Sequence, residues 1–596
     1  MPRSRLARME SAVFSRLNRY VEWHRLPTPL AVLNLKVLRD DLREHNLHDT
    51  FVAGGERVRQ PPSELLPYRT YDGSNCDPFD RDMGMALTRF DRNTPMDLTW
   101  PEAEPGLLEP NPRLISQRLL GRERFIPATT LNLVAAAWIQ FQNHDWFSHG
   151  DNTEVDPFEI TLSPGDVWSE CPMRIRRSRP DAVAHIPGGA PPTFVNTVTH
   201  WWDGSQIYGS SEKRCRQLRT GADGMMILEN GRLPGESDPE LAGLDLTGFS
   251  DNYWVGLSMM HTLFVKEHNA ICEHLRAAYP TWDDERLFLT ARLVNTALMA
   301  KIHTIEWTPG ILNNPGVRHA MNANWYGLLG RWTKNHLGRV GRSEALSGII
   351  GSATEHHTAQ FSTTEEFVCC YRLHPLIPDE YEIRSHRNGA LVDRTDFGTL
   401  QGRDTRPALD RWGMSDLWYS FGTAHPGSIT LHNHPEALRN LVRMTGEHLD
   451  VGTVDVLRDR ERGIPRYNAF RETLRKRPVE DFADLTPNQR WAKEIREVYN
   501  GDIDRVDTLI GMYAEPRPKG FGFSDTAFRI FVLMASRRLK SDRFFTVDYR
   551  PEVYTPEGLR WIEDNTMVDV LLRHHPELEP ALSGVTNAFL PWIRDG

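Results

Sequence analysis

Cysteine is scarce in this 596-residue chain: six residues, at 76, 171, 215, 272, 369 and 370. Their spacing is unpatterned, and the adjacent pair Cys369–Cys370 is no metal-ligand arrangement. That excludes a disulfide scaffold or a thiolate metal site and points to reduced thiols in a reducing compartment. A cytoplasmic protein, soluble or attached peripherally to a membrane, is therefore expected. Long hydrophobic runs are also missing; none approaches the ~18 residues needed to span a bilayer. The opening stretch, MPRSRLARMESAVFSRLNRYVEWHRLP, lacks the apolar core of a secretory signal. It is basic and amphipathic, so residues 1–24 fit either a helix lying on a membrane surface or one packed on the body. Excess positive charge is absent too. The formal net charge of -10 argues against a general nucleic-acid binder.

What is present is a globular composition, 39% hydrophobic and 25% charged. Apolar residues recur at helical spacing over 131–148, 257–278, 283–308, 363–373, 435–447, 485–499 and 525–540. Strand patterns are few and short. Long irregular segments intervene, Pro-rich at 101–113 and 172–194, and loops of that length usually support function or wrap the surface. No flexible linker or internal repeat divides the chain. The expectation is one large, mainly α fold with few short strands and long loops. An N-terminal arm is expected to accompany it.

Two constellations carry chemistry. In LNLVAAAWIQFQNHDWFSH (131–149), Gln140 and His144 lie four apart and share a helix face, while Asp145 points about 100° away. One helix would thus serve two sites. In EEFVCCYRLHPLIPDE (365–380), Tyr371 and His374 lie three apart, expected on one side of a helix, with Pro375 disturbing the backbone just after. A lone His in an apolar helix is usually a hydrogen-bonded core residue. Two of them on separate helices, one with Gln and one with Tyr, suit a flat cofactor held between helices, with one His ligating iron. Haem is the natural candidate, although spacing alone does not establish it.

The segments WIQFQNHDWFSH, THWWDGSQIYGSSE (199–212), MHTLFVKEHN (260–269), VCCYRLHPLIPD (368–379) and RERGIPRYN (460–468) resemble the peroxidase–cyclooxygenase superfamily of haem proteins. AKIHTIEWT (300–308), ANWYGLLG (323–330) and MASRRLKSDRFFT (534–546) narrow the resemblance to the fatty-acid α-dioxygenases, in the right order from about residue 125 to 565. It implies a haem peroxidase-like helical fold, with residues 1–124 as an N-terminal arm and helices packing on the core and residues 125–596 as the haem peroxidase-like catalytic domain. His144 matches the distal histidine, Gln140 its partner and His374 the proximal iron ligand. Asn433, flanked by His432 and His434, matches the Asn that orients the proximal imidazole. Asn143 stands where mammalian peroxidases carry an ester-forming Asp, and Tyr253 where a second ester Glu would lie. Haem b is therefore expected without covalent attachment.

Thr199, Trp201, Asp203 and Ser205 alternate along a loop expected to be extended, which would bring them to one side. With Asp145 they offer hard oxygen donors that suit Ca²⁺, Trp201 through its carbonyl alone. The alternative is a loop of ordinary turn residues with a solvated Asp. At the position three before the proximal histidine, cyclooxygenases and α-dioxygenases carry Tyr and simple animal-type peroxidases Arg. Tyr371 implies a tyrosyl radical that takes hydrogen from a substrate C–H bond, against the commoner role of a buried Tyr donating one hydrogen bond. The resemblance also implies that His303, Thr308 and Arg538 hold a fatty-acid carboxylate, with Arg537 a competing assignment. The expected partners are a long-chain fatty acid, O₂ and an activating hydroperoxide. The expected activity is α-dioxygenation to a 2-hydroperoxy acid; the rivals are a haem peroxidase oxidising small donors with H₂O₂ and an inert haem or lipid carrier.

Overall fold

The computed structural model describes residues 13–14, 16–18, 21–50, 60–181 and 189–592; most of the basic amphipathic stretch at the N-terminus lies outside the described residues. The principal helices are α1 (Thr28–His45), α2 (Leu133–Trp146), α3 (Val255–Ala278), α4 (Asp284–Ile302), α5 (Pro315–Tyr326), α6 (Gly330–Leu337), α7 (Glu365–Cys370), α8 (Val451–Glu461), α9 (Asp525–Ser541) and α10 (Pro551–Asp564). Side-chain caps set several of the starts. Asn132 accepts from Ala135 N at α2, Thr364 from Phe367 N at α7, Asp450 from Thr453 N at α8 and Ser524 from Ala527 N at α9. α2 is apolar on nearly every side, as its sequence requires of a helix buried all round, and only Gln140 and Asn143 of it are partly exposed. It packs on α3, α3 on α4, and α4 on α10. Among the described residues, four small antiparallel strand pairings accompany the helices: Thr88–Arg89 with Val195–Asn196, Thr153–Ile160 with Met173–Arg177, Glu380–Arg384 with Leu391–Asp396, and Leu441–Val442 with His448–Leu449. No helix among the described residues is long and apolar enough to cross a membrane.

The fold is mainly α, as expected, and one hydrophobic core runs from Trp23 to Trp592. The chain crosses residue 125 without a break. α1 packs on α5 and α9, and the strand at 88–89 pairs with 195–196, so the residues before 125 are woven into the body.

Three local expectations change. The helix expected over 435–447 is a single turn, Glu436–Arg439, followed by a hairpin; Gly446 (φ 82°) makes the turn that returns Leu449 to Leu441. The helix expected over 363–373 stops at Cys370, and Tyr371 caps it. Pro375 starts a separate 3₁₀ turn, His374–Leu376, because a proline supplies no N–H and disfavours helical backbone before it. Tyr371 and His374 thus sit on consecutive turns rather than on one helix. The loop at 199–205 is bent rather than extended, and Gly204 (φ 75°) turns Ser205 into the start of a short helix, Ser205–Tyr208.

After α4 the helix widens into a π turn, His303–Trp307, in which Thr308 N–H bonds to His303 O. A π turn holds residues five apart in register, so it carries His303 and Thr308 to one side, where an α-helix would splay them.

Candidate functional site

The hub of the site is Trp146, the last residue of α2. Its ring meets Tyr371 edge-on at 5.4 Å, His303 at 5.2 Å and Trp202 at 5.4 Å, and the Arg538 guanidinium lies over its face at 4.4 Å. Three residues expected at the site from distant segments, Tyr371, His303 and Arg538, therefore converge on one indole. The indole was not singled out from the sequence, although it follows His144 and Asp145 directly.

Arg538 is buried, and none of its three guanidinium nitrogens has a hydrogen-bond partner. Trp202 flanks it at 5.1 Å. Burial pulls its pKa down to about 10, although Asp145 and Tyr371 favour its charge. An unpaired buried cation is costly, and a site that keeps one is built for an anion. Arg537, its neighbour, is committed elsewhere: it donates to the carbonyls of His356 (3.3 Å), Ala359 (2.7 Å) and Gln360. The two arginines are thereby distinguished.

His303 Nδ1 accepts from Trp138 Nε1 at 3.1 Å. An indole N–H only donates, so the ring proton sits on Nε2 and His303 can donate a second bond. Burial, then the nearby Arg538 charge, hold its pKa well below the usual histidine value, so the ring is neutral. Thr308 Oγ1 is enclosed without a partner. Burial also raises the Tyr371 pKa, keeping the phenol protonated, and Phe367 packs on its ring at 4.6 Å.

On the other side of the site, His374 Nδ1 bonds to Asp455 Oδ2 at 2.6 Å, while 35% of the His374 side chain stays open. Arg372 bridges Asp455 and Asp459 at 2.9 Å each. Burial would raise the Asp455 carboxyl, but His374 and Arg372 hold it far below the ordinary carboxylate range. Asn433 is not the partner of His374. Its side chain accepts from Ile126 N (3.0 Å) and Arg122 Nε (3.1 Å) and donates to Ile126 O (2.9 Å) and Ser428 O (2.7 Å). Asp455 takes the place expected of Asn433. It lies five residues before the RERGIPRYN segment, and a buried acid one turn from Asp459 was the available signal.

His144 is buried with Nδ1 unpartnered, and burial lowers its pKa to about 4, so it is neutral at pH 7 and able to accept a proton. Phe249 packs edge-on to its ring at 5.0 Å. Gln140 is held away from it: Oε1 accepts from Trp254 Nε1 (2.8 Å) and Nε2 donates to Asn252 O (3.2 Å).

Asp145 turns from α2 to the 199–205 loop. Its Oδ1 accepts from Ser205 N (2.6 Å) and Ser205 Oγ (2.9 Å), and Ser205 N also lies 3.1 Å from Asp203 Oδ1. Asp145 Oδ2 and Thr199 Oγ1 are buried without partners. Burial, then repulsion from Asp203, raise the Asp145 carboxyl to about 8. Trp201 Nε1 donates to Gly73 O and Met83 O, which leaves only its carbonyl to offer.

The animal haem peroxidase family model matches residues 68–586. An alpha-dioxygenase of Oryza sativa subsp. japonica is 36% identical over 96% of this chain and 93% of its own length. The crystal structure of Oryza sativa fatty acid alpha-dioxygenase superposes with a TM-score of 0.91 at 34% identity, covering 100% of this chain and 98% of that one. A tyrosine-to-phenylalanine variant of the rice protein, crystallised with palmitic acid, gives 0.90 at the same identity and coverage.

Proposed function

Because the chain belongs to the animal haem peroxidase family and, within it, to the α-dioxygenases, we propose roles for its site residues in that chemistry. The protein is a haem-dependent oxidoreductase that adds O₂ at C2 of a fatty acid. The observation that carries the residue assignment is the buried, unpaired Arg538 guanidinium beside Trp146, with His303 and Tyr371 on the same ring.

The substrate carboxylate docks on Arg538 through two parallel charge-assisted hydrogen bonds. His303 Nε2 and Thr308 Oγ1 donate to the same oxygens. Fixing the carboxylate places C2 in front of Tyr371, and positioning of this kind yields at most ~7–11 kcal/mol of a barrier. The residues fit non-covalent haem b. Asp455 holds His374 Nδ1, so the part-open His374 ring would ligate iron through Nε2, with its basicity raised by the carboxylate. When bound, haem supplies the oxidising equivalents, drawn from an activating hydroperoxide, that convert the Tyr371 phenol to a radical. His144, neutral at physiological pH, accepts the hydroperoxide proton. Gln140 braces α2 against the loop before α3 through Trp254 and Asn252.

The Tyr371 radical takes a hydrogen atom from C2, breaking C–H and forming O–H. O₂ adds to the carbon radical. The peroxyl radical takes the hydrogen back from Tyr371, giving a 2-hydroperoxy acid and restoring the tyrosyl radical. The product can release CO₂ and water to leave an aldehyde one carbon shorter. Ca²⁺ would be held by oxygens of Asp145, Thr199, Trp201, Asp203 and Ser205, where Asp145 Oδ2 and Thr199 Oγ1 lie buried without partners and Asp203 already pairs with Arg292. There it would tie the loop to α2 and so fix His144.

The test is oxygen uptake with palmitate, alongside guaiacol oxidation by H₂O₂. Tyr371→Phe should end the first while leaving the Soret band in place. Continued uptake by that variant would end the radical assignment, and guaiacol oxidation without fatty-acid oxygenation in the wild type would favour a plain peroxidase.

A further inference from the structure

We propose that α6 and its flanking turns dock this protein on an anionic phospholipid surface. The helix is inside out: no residue of Gly330–Leu337 is buried, and its polar side, not its apolar side, faces the body. Lys334 Nζ donates to Trp325 O, Arg331 pairs with Glu563, and Asn335 Nδ2 donates to Glu563 Oε1 at 2.9 Å. At 100° per residue the opposite side carries Trp332, His336 and Leu337 with Thr333 among them, and exposed Leu328 and Leu329 lead into the helix across Gly330 (φ 82°). Trp332 is 65% exposed and Leu337 66%, and His336 stacks on the Trp332 ring at 4.9 Å.

The turn after α6 widens the same face. Leu328 N donates to Ala345 O and Leu329 N to Leu346 O, which sets exposed Leu346 beside them. Val340, also exposed, is fixed through Ser347 Oγ. Clustered exposed apolar side chains on one face mark an interaction surface.

Charge selects the occupant. Of the five basic side chains in residues 313–346, Arg331 pairs with Glu563, and Lys334 and Arg339 donate to backbone carbonyls, which leaves Arg318 and Arg342 to face outward; the one acid of the segment, Glu344, is held by Lys540. Arg318 and Arg342 are exposed. A second copy of this face would bring like charges together, whereas an anionic bilayer offers an apolar phase and negative headgroups in one plane. Tryptophan flanked by cations over leucines is the composition of a helix lying in that plane.

Docking stands on these contacts alone. Its use, drawing substrate from the lipid phase, rests on the fatty-acid reading. The chain runs from the Thr308 turn through α5 directly into this surface.

The test is flotation of the full-length holoenzyme with vesicles of phosphatidylglycerol and phosphatidylcholine. Binding should weaken with salt and fall roughly tenfold or more in Trp332→Ser/Leu337→Ser. Melting, and oxygen uptake with a fatty acid short enough to stay monomeric, should not change. Arg342→Glu should weaken flotation as well, and it stands in if the double variant does not fold. Wild type that fails to float, or variants that float as well as wild type, would overturn the proposal. So would a wild-type dimer that the double variant splits, with no vesicle binding. Failure of wild type to oxygenate any fatty acid would strike the functional reading and leave flotation untouched.

Discussion

The two sides of the reaction centre treat charge in opposite ways. Around His374 the charges are matched: Asp455 accepts from His374 and Arg372, and Asp459 from Arg372 and Cys369. Over Trp146 the Arg538 charge is left open, and the polar atoms Thr308 Oγ1 and Asp145 Oδ2 are likewise buried without a partner. Folding alone rewards the first arrangement and penalises the second. The difference separates a support that must hold one imidazole from a site whose partners arrive from solution.

The neighbouring arginines of α9 give the sharpest way to break that contrast. Arg538→Gln should lower kcat/KM for palmitate by about 100-fold or more, since a charge-assisted pair is worth ~3 kcal/mol in such a site. It should leave the substrate-free protein as stable as before or more so, because it removes an unpaired cation. Arg537→Gln should do the reverse, destabilising by about 3 kcal/mol as buried carbonyls lose their donor. Its kcat/KM should change little. Urea unfolding and oxygen-uptake kinetics on both variants decide it, and a larger kinetic loss in Arg537→Gln would cancel the assignment.

The proximal support is tested by a second pair. Asp455→Ala should weaken haem binding by ~10–100-fold and shift the Soret band, as loss of a ligand's hydrogen-bond partner does. Asn433→Ala should cost roughly 1–3 kcal/mol of stability, from its bonds to Ile126, Ser428 and Arg122, with the Soret band unmoved. A Soret shift in the Asn433 variant alone would return that residue to the iron ligand.

These pairs also mark where the sequence stops being readable. The apolar run of α2 is legible because a helix buried on all sides is written in local composition, and with it come Gln140, His144 and Asp145 on one element. The spacing of Tyr371 and His374 is legible as well, but not the break between them, which Pro375 imposes through the backbone. Asp455 reaches His374 across 81 residues, a pairing no local pattern encodes. Arg537 and Arg538 differ by a 100° rotation, which has meaning only once the neighbours are placed. The same holds for α6: an amphipathic pattern fixes two faces and does not say which one turns outward.

The smallest expected effect concerns Asp145, which stands between the open side and the calcium loop. In calcium-free protein, burial and Asp203 raise its carboxyl to about 8, whereas in the unfolded chain it titrates in the ordinary carboxylate range. Between those limits the folded state holds a proton the unfolded state has lost, so stability falls as pH rises through the interval. Bound Ca²⁺ takes the place of that proton and removes the fall. Melting curves of calcium-stripped protein should therefore drop by a few degrees more than those of calcium-loaded protein between about pH 5 and about pH 8. Asp145→Asn, which cannot ionise, should flatten the stripped curve. Parallel curves for stripped and loaded protein would mean that Asp145 holds no cation. Its open oxygen would then belong to the Arg538 field, and the substrate side would extend one residue further along α2 than the hub at Trp146.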